Sequence, residues 1–205
     1  MKICRFQIPV DGRDVDLAGA SVAQAHRRGL DAILEEVAPD EPVLVAIDFG
    51  NVRSATASYL KVMWLSVARA GEQWLRGVST HADDPLARDV YPVLTGLGAE
   101  LREELGVLGR AEKVCPIEAP SLGKRGPSRI VLLGDLEPSV RETVDALGRY
   151  GRASATELHV AHGSKLAATA WNNRLTEVCR LRIATRTKEG RQYVYSLIAP
   201  EVSHG

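Results

Sequence analysis

Apolar positions recur along the chain in two rhythms, and the place where the rhythm changes divides it into parts. From Ile3 to Val10 they alternate, with Cys4, Phe6 and Ile8 on one side. Asp11-Gly12-Arg13 then supplies a turn before a second extended piece around Val15 and Leu17. A β-hairpin is the expected opening. Ser21-Val22-Ala23-Gln24 reads as a capping box, and Val22, Ala25, Gly29, Ile33 and Val37 follow at helical spacing until Pro39 and Pro42, which predicts an amphipathic helix. The run VLVAIDF after Pro42 is unbroken and ends in a carboxylate, as an inner strand covered on both faces should be. Leu60, Met63, Trp64 and Val67 then mark a second helix from Ala57 to Ala70, closed by Gly71.

THADDPLARD reads as a polar loop, YPVLTGL as a strand, and AELREELGVL as a helix bounded by Gly98 and Gly109. Residues 116 to 127 have loop composition, and Ile130 to Leu133 return as a short strand. From Pro138 the grammar becomes three helices and a hairpin, with no strand expected to extend the preceding sheet. Pro138 suits a first helical position, and Val140, Val144 and Leu147 form the buried stripe up to Gly151. Ser154-Ala155-Thr156-Glu157 is a second capping box that opens a short helix ending at Gly163, and Ser164 caps a longer helix to about Leu181. IATRTK and RQYVYSLI flank Glu189-Gly190 as a two-stranded hairpin, and the final SHG reads as a loose tail.

Composition changes this picture little. With 205 residues, 45% hydrophobic and 25% charged, collagen-like, coiled-coil and wholly disordered classes are excluded. No apolar run approaches bilayer length and no signal-peptide stretch forms before the N-terminus turns charged, so a cytoplasmic protein is expected. Cys4, Cys115 and Cys179 are too widely spaced for a disulfide framework or a CxxC pair. Charge adds more. The formal net charge is zero, yet residues 1–134 hold 16 basic against 18 acidic residues and residues 135–205 hold 10 against 8. Between 149 and 201 the count is 9 against 4, which suggests an anionic partner for the C-terminal part.

Placed at 100° per residue, Ala167, Trp171, Leu175, Val178 and Arg182 share one arc of the last helix, which packs inward. Lys165, Thr169, Asn172, Asn173, Thr176 and Arg180 share the opposite arc, almost all of it hydrogen-bonding groups. Any helix has a polar solvent face, but this one follows a capped short helix and precedes a hairpin carrying Arg186, Lys188 and Arg191. Asparagine suits adenine N6 and N7, threonine the thymine methyl, and lysine or arginine phosphate or guanine, so the arc fits a major groove and the hairpin the backbone or the neighbouring minor groove. The segment ATAWNNRLTEVCRLRIATRTKEGRQYVYSL resembles bacterial winged helix-turn-helix regulators over about the last third of the chain. That resemblance implies double-stranded DNA as partner, a homodimer on a two-fold site, and Thr169, Asn172, Asn173 and Thr176 as groove-facing residues.

The segment VLVAIDFGNVRSATASYLKVM resembles STAS domains, the fold of anti-sigma-factor antagonists, over residues 1 to 134. In those proteins an Asp-Ser-Ser-Gly motif carries the phosphorylated serine; here the positions are Thr56, Ala57, Ser58 and Tyr59, and only the serine survives. A phosphate on Ser58 would sit near a helix N-terminus. Arg53, Ser54, Thr56, Ser58 and Tyr59 are therefore the candidate regulatory or interaction surface, with a protein partner as the implied occupant. His159 and His162 are three apart but lack a third ligand, and Asp48 with Arg53 lacks a nucleophile and base. No P-loop, GxGxxG or HExxH motif occurs, so no catalytic residue, metal or cofactor is expected.

These readings give an α/β STAS-like domain, a mixed sheet with packed helices, over residues 1–134. An α+β winged helix-turn-helix follows over 135–205. The expected function is a DNA-binding transcriptional regulator. The alternative is a protein-interaction switch in which the first domain docks a kinase or other partner and the winged helix binds protein.

Overall fold

Five consecutive apolar residues, Val43 to Ile47, at the centre of a sheet must be covered twice, and two separate sets of helices do this here. The computed structural model describes residues 1–38, 41–75, 88–162 and 166–205. In chain order it contains β1 (Lys2–Gln7), β2 (Val15–Leu17), α1 (Ala20–Glu35), β3 (Val43–Asp48) and β4 (Val52–Ala55). A helix follows from α2 (Ala57–Leu60) through a π-helical turn (Lys61–Leu65) into α3 (Ser66–Leu75). Next come β5 (Val90–Thr95), α4 (Ala99–Glu112), β6 (Ile117–Glu118), β7 (Leu122–Gly123), β8 (Gly126–Pro127) and β9 (Arg129–Leu132). The remainder is α5 (Pro138–Tyr150), β10 (Arg152–Ser154), α6 (Ala155–His162), α7 (Ala168–Arg180), β11 (Ala184–Glu189), β12 (Gln192–Leu197) and β13 (Glu201–His204).

The result is a mixed α/β fold around a mixed sheet of order β1-β3-β5-β6-β9-β13. β1, β3, β5 and β6 run parallel, β9 is antiparallel to β6, and β13 is parallel to β9. Alternation along β3 divides its side chains between two cores. Val43, Val45 and Ile47 join Leu30, Leu34, Trp64 and Leu101 from α1, the π-helical turn and α4. Leu44 and Ala46 join Tyr91, Val93, Val144, Trp171, Leu175 and Val178, the last four coming from α5 and α7. Residues on both sides of position 134 thus share one apolar core, and the last strand returns to the sheet.

Several expectations are corrected. The opening is not a hairpin: β1 lies parallel to β3, and β2 parallel to β4. α1 starts after Gly19 without a side-chain cap, so Ser21 forms no capping box. Its buried face is Ala23, Leu30 and Leu34, and Val22 is exposed. Gly71 does not close the second helix, which runs on to Leu75; a Cβ there would stand 2.5 Å from the Val90 carbonyl oxygen and 2.9 Å from Arg182 Nε, so glycine serves close packing. α4 continues past Gly109 and stops at Lys113, whose backbone is left-handed with φ 55°. Residues 116–127 include three short strands. Most of THADDPLARD lies outside the described residues. The SHG tail is also corrected, because Ser203 and His204 belong to β13 and pair with Val131 and Leu132.

The C-terminal elements fall in the expected order. Pro138 opens α5, and Ser154 and Glu157 form a reciprocal cap, the Glu157 amide donating to Ser154 Oγ at 3.3 Å and the Ser154 amide to Glu157 Oε2 at 2.7 Å. Gly163 and Ser164 lie outside the described residues, and α7 starts at Ala168 without a side-chain cap. β10, β12 and β11 form an antiparallel three-stranded sheet in which Glu189 pairs with Gln192 around Gly190, whose φ is 60°.

Candidate nucleic-acid interface

α7 is amphipathic, and its two ends have different surroundings. Its inward arc buries Trp171 to 1% exposure, together with Leu175 and Val178, while Ala167 at the N-cap is exposed. On the outward arc of the first turns Thr169, Asn172 and Asn173 are exposed. The Tyr195 hydroxyl donates to Asn172 Oδ1 at 3.2 Å, and the Thr176 hydroxyl donates to the Asn172 carbonyl at 2.8 Å. Burial raises the Tyr195 pKa, so the phenol remains a donor at neutral pH. It fixes the asparagine rotamer and leaves the amide NH2 and one oxygen lone pair for a ligand. Thr176 is half-buried. Lys165 lies outside the described residues.

The last turn of α7 is occupied. Arg180 donates through Nε and Nη2 to Glu177 at 2.8 and 2.6 Å, and reaches Glu72 of α3 at 3.4 Å and the Lys113 carbonyl at 3.5 Å. Bonds to Glu177 come first among the causes that raise its pKa. Arg182, at 2% exposure, has a left-handed backbone with φ 62°. Its Nε donates to the Val90 carbonyl at 2.7 Å, its Nη2 pairs with Asp89, and the guanidinium lies 4.0 Å from the centroid of Tyr91. Arg186 donates to the Leu75 carbonyl at 3.1 Å and stacks over Tyr193 at 4.7 Å.

Of the expected DNA-contacting cations, Arg180 and Arg186 therefore hold the C-terminal elements against α3 and α4. Lys188 and Arg191 on the hairpin are exposed and have no partner among the described residues. Arg152 is paired with the hairpin's Glu189, and Arg174 with Glu142 of α5 at 2.7 Å. The 9-to-4 basic excess between 149 and 201 is thus largely spent on internal pairs. Helical spacing puts Arg182 on the inward arc but does not show its role as a buried anchor. An arginine at an apolar helical position is itself the signal of a buried ion pair.

The second candidate surface is mostly an internal network. Arg53 and Ser54 both bond Asp16, Ser54 at 2.7 Å, and the Arg53 contact leads the causes that lower the Asp16 pKa. Thr56 caps the helix, accepting from the amides of Tyr59 at 3.4 Å and Gly19 at 3.3 Å. Tyr59 is a correction to the expected surface: it is fully buried, and its hydroxyl meets His26 Nδ1 at 2.8 Å. Ser58 is exposed, 3.0 Å from the Thr56 hydroxyl.

The described residues contain no group of three or more side chains suited to a metal. His159 Nδ1 bonds the Leu166 carbonyl at 2.7 Å, and His162 packs against Trp171. All three cysteines are free and buried, and burial pushes Cys115 and Cys179 up to about 12, so both remain thiols. No described helix is long and apolar enough to cross a membrane. Comparison with protein-family models, curated proteins and solved structures yields no match.

Proposed function

We propose that the protein is a DNA-binding transcriptional regulator whose C-terminal elements act as a winged helix-turn-helix and whose N-terminal elements act as a STAS-like interaction module. One observation carries this reading: the exposed Thr169, Asn172 and Asn173 on the first turns of α7 stand beside a hairpin with unpartnered Lys188 and Arg191. Helices of this kind read base edges with their N-terminal residues, and here that end is the free one. Asn172 and Asn173 read bases, while Lys188 and Arg191 contact phosphate. The working form is a homodimer on a two-fold site, and the exposed Arg53, Thr56 and Ser58 form the surface through which association is controlled.

A protein-docking role for the same elements is the second reading, favoured by exposed Val160 at 74% and Tyr150 on α6 and α5. Selection of duplexes from sheared genomic DNA by the full chain separates the two. The regulator enriches a common sequence, and Asn172→Ala and Asn173→Ala lose that preference; failure of the folded chain to retain any duplex at low salt supports protein docking instead.

A further inference from the structure

Between the end of α4, the start of α5 and the outer side of α7 lies a cleft of about 680 Å3, in the range of small-molecule sites. It sits where the two cores meet. Its apolar lining is Val114, packed against one core, with Leu136, Val140 and Leu181 belonging to the other. Asn173 places an amide on its wall.

The rim carries both charges: Arg110, Lys113, Arg174 and Arg180 line it together with Asp135, Glu137 and Glu177. Glu177 is held by Arg180, and Arg174 is turned to Glu142. Arg110 meets Asp135 only at 4.0 Å, with 85% of that carboxylate's side chain exposed, and Lys113 has no side-chain partner among the described residues. Two cations, Arg110 and Lys113, are thus available beside an apolar floor. α5 also opens on this cleft without a side-chain cap, so the positive end of its dipole lies on that wall.

We propose that this cleft binds a small carboxylic acid with an apolar body. The carboxylate lies between Arg110 and Lys113, the apolar body covers Leu136, Val140 and Leu181, and Asn173 hydrogen-bonds its polar edge. Unlike a surface ion site, such a cleft favours a ligand with both halves: the charge alone stays hydrated, and the apolar body alone forms no ion pair. Binding of such an acid needs no DNA, although Asn173 is shared with the proposed groove-facing set.

The test uses the full chain at pH 7.5 with benzoate, octanoate and naphthalene-2-carboxylate as probes, their primary amides as neutral controls, and sodium acetate as a charge-only control. Calorimetry reads binding, and the side-chain amide resonance of Asn173 reads its place. Saturable binding of at least one of the three carboxylates is expected, at least tenfold tighter than its amide and than acetate, with a shift of the Asn173 resonance. The double variant Arg110→Gln/Lys113→Asn changes exposed positions and retains a residue suited to the left-handed backbone at 113. It binds the same probe at least tenfold more weakly with an unchanged melting temperature. The proposal is overturned if none of the three carboxylates saturates, if the amide binds as tightly, or if the folded double variant binds as tightly as the parent.

Discussion

The first two turns of α7 and its last turn carry similar polar residues and have opposite surroundings. At the start, Thr169, Asn172 and Asn173 are exposed. At the end, Arg180 is bonded to Glu177 and Glu72, and Arg182 just beyond is buried against Asp89, Val90 and Tyr91. A polar arc on a helical wheel is therefore not one functional surface. One end anchors the helix so that the other is presented rigidly, and a helix held in this way offers its side chains at low ordering cost.

The largest expected effect breaks the comparison altogether. Residues 136–205 expressed alone lack Leu44, Tyr91 and Val93, which cover the inward face of α7, and β9, which pairs with β13. Circular dichroism of this fragment should show no cooperative thermal transition, whereas the full chain melts cooperatively. Within the full chain, Trp171→Ala should cost about 3–5 kcal/mol in urea unfolding, as large-to-small core changes do. Arg182→Ala should cost a similar amount, about 3–5 kcal/mol, because it leaves Asp89 without its buried partner.

Asn172→Ala and Asn173→Ala should each lose about 1–3 kcal/mol of discrimination at one base pair while melting like the parent; equal losses on selected and random duplexes would remove them from base reading. Arg186→Ala belongs to the anchored end, so it should lose about 1 kcal/mol of stability, the worth of one hydrogen bond, with an unchanged salt dependence of DNA binding.

The smallest effect is a pH dependence far from α7. Burial beside Tyr59 lowers the His26 pKa below its ordinary value, so the unfolded chain takes up a proton more readily than the folded one. The stability that depends on neutral His26 is complete above about pH 6.5 and declines as the pH falls below it. Melting temperatures from pH 7.5 to 5.5 should fall more for the parent than for His26→Gln.

Much of this fold is legible in the sequence where one strong local signal decides the matter. The VLVAID run announces an inner strand, Pro138 a helix start, the Ser154 and Glu157 pair a cap, and Glu189-Gly190 a hairpin. Signals that depend on distant partners are not legible. β13 contains Val202 as its only apolar residue, and only the open edge of β9 makes it a strand. β1 alternates as a hairpin strand would, yet pairs with β3 instead. The candidate site is legible by the same measure: periodicity identifies the arc of α7, whereas Glu72, Leu75 and Asp89, which occupy Arg180, Arg186 and Arg182, lie about a hundred residues away in sequence and leave no local trace.

The central claim, that the free end of α7 and the hairpin tip bind duplex DNA, is tested most directly by salt. Anisotropy titrations of a selected duplex between 50 and 300 mM salt should give a linear fall of log K with log salt for the full chain. For Lys188→Ala/Arg191→Ala the slope should be shallower by about 2, close to one per phosphate contact removed, with stability unchanged. An absence of duplex binding at 50 mM salt by the folded protein, or an unchanged slope in the double variant, would contradict it.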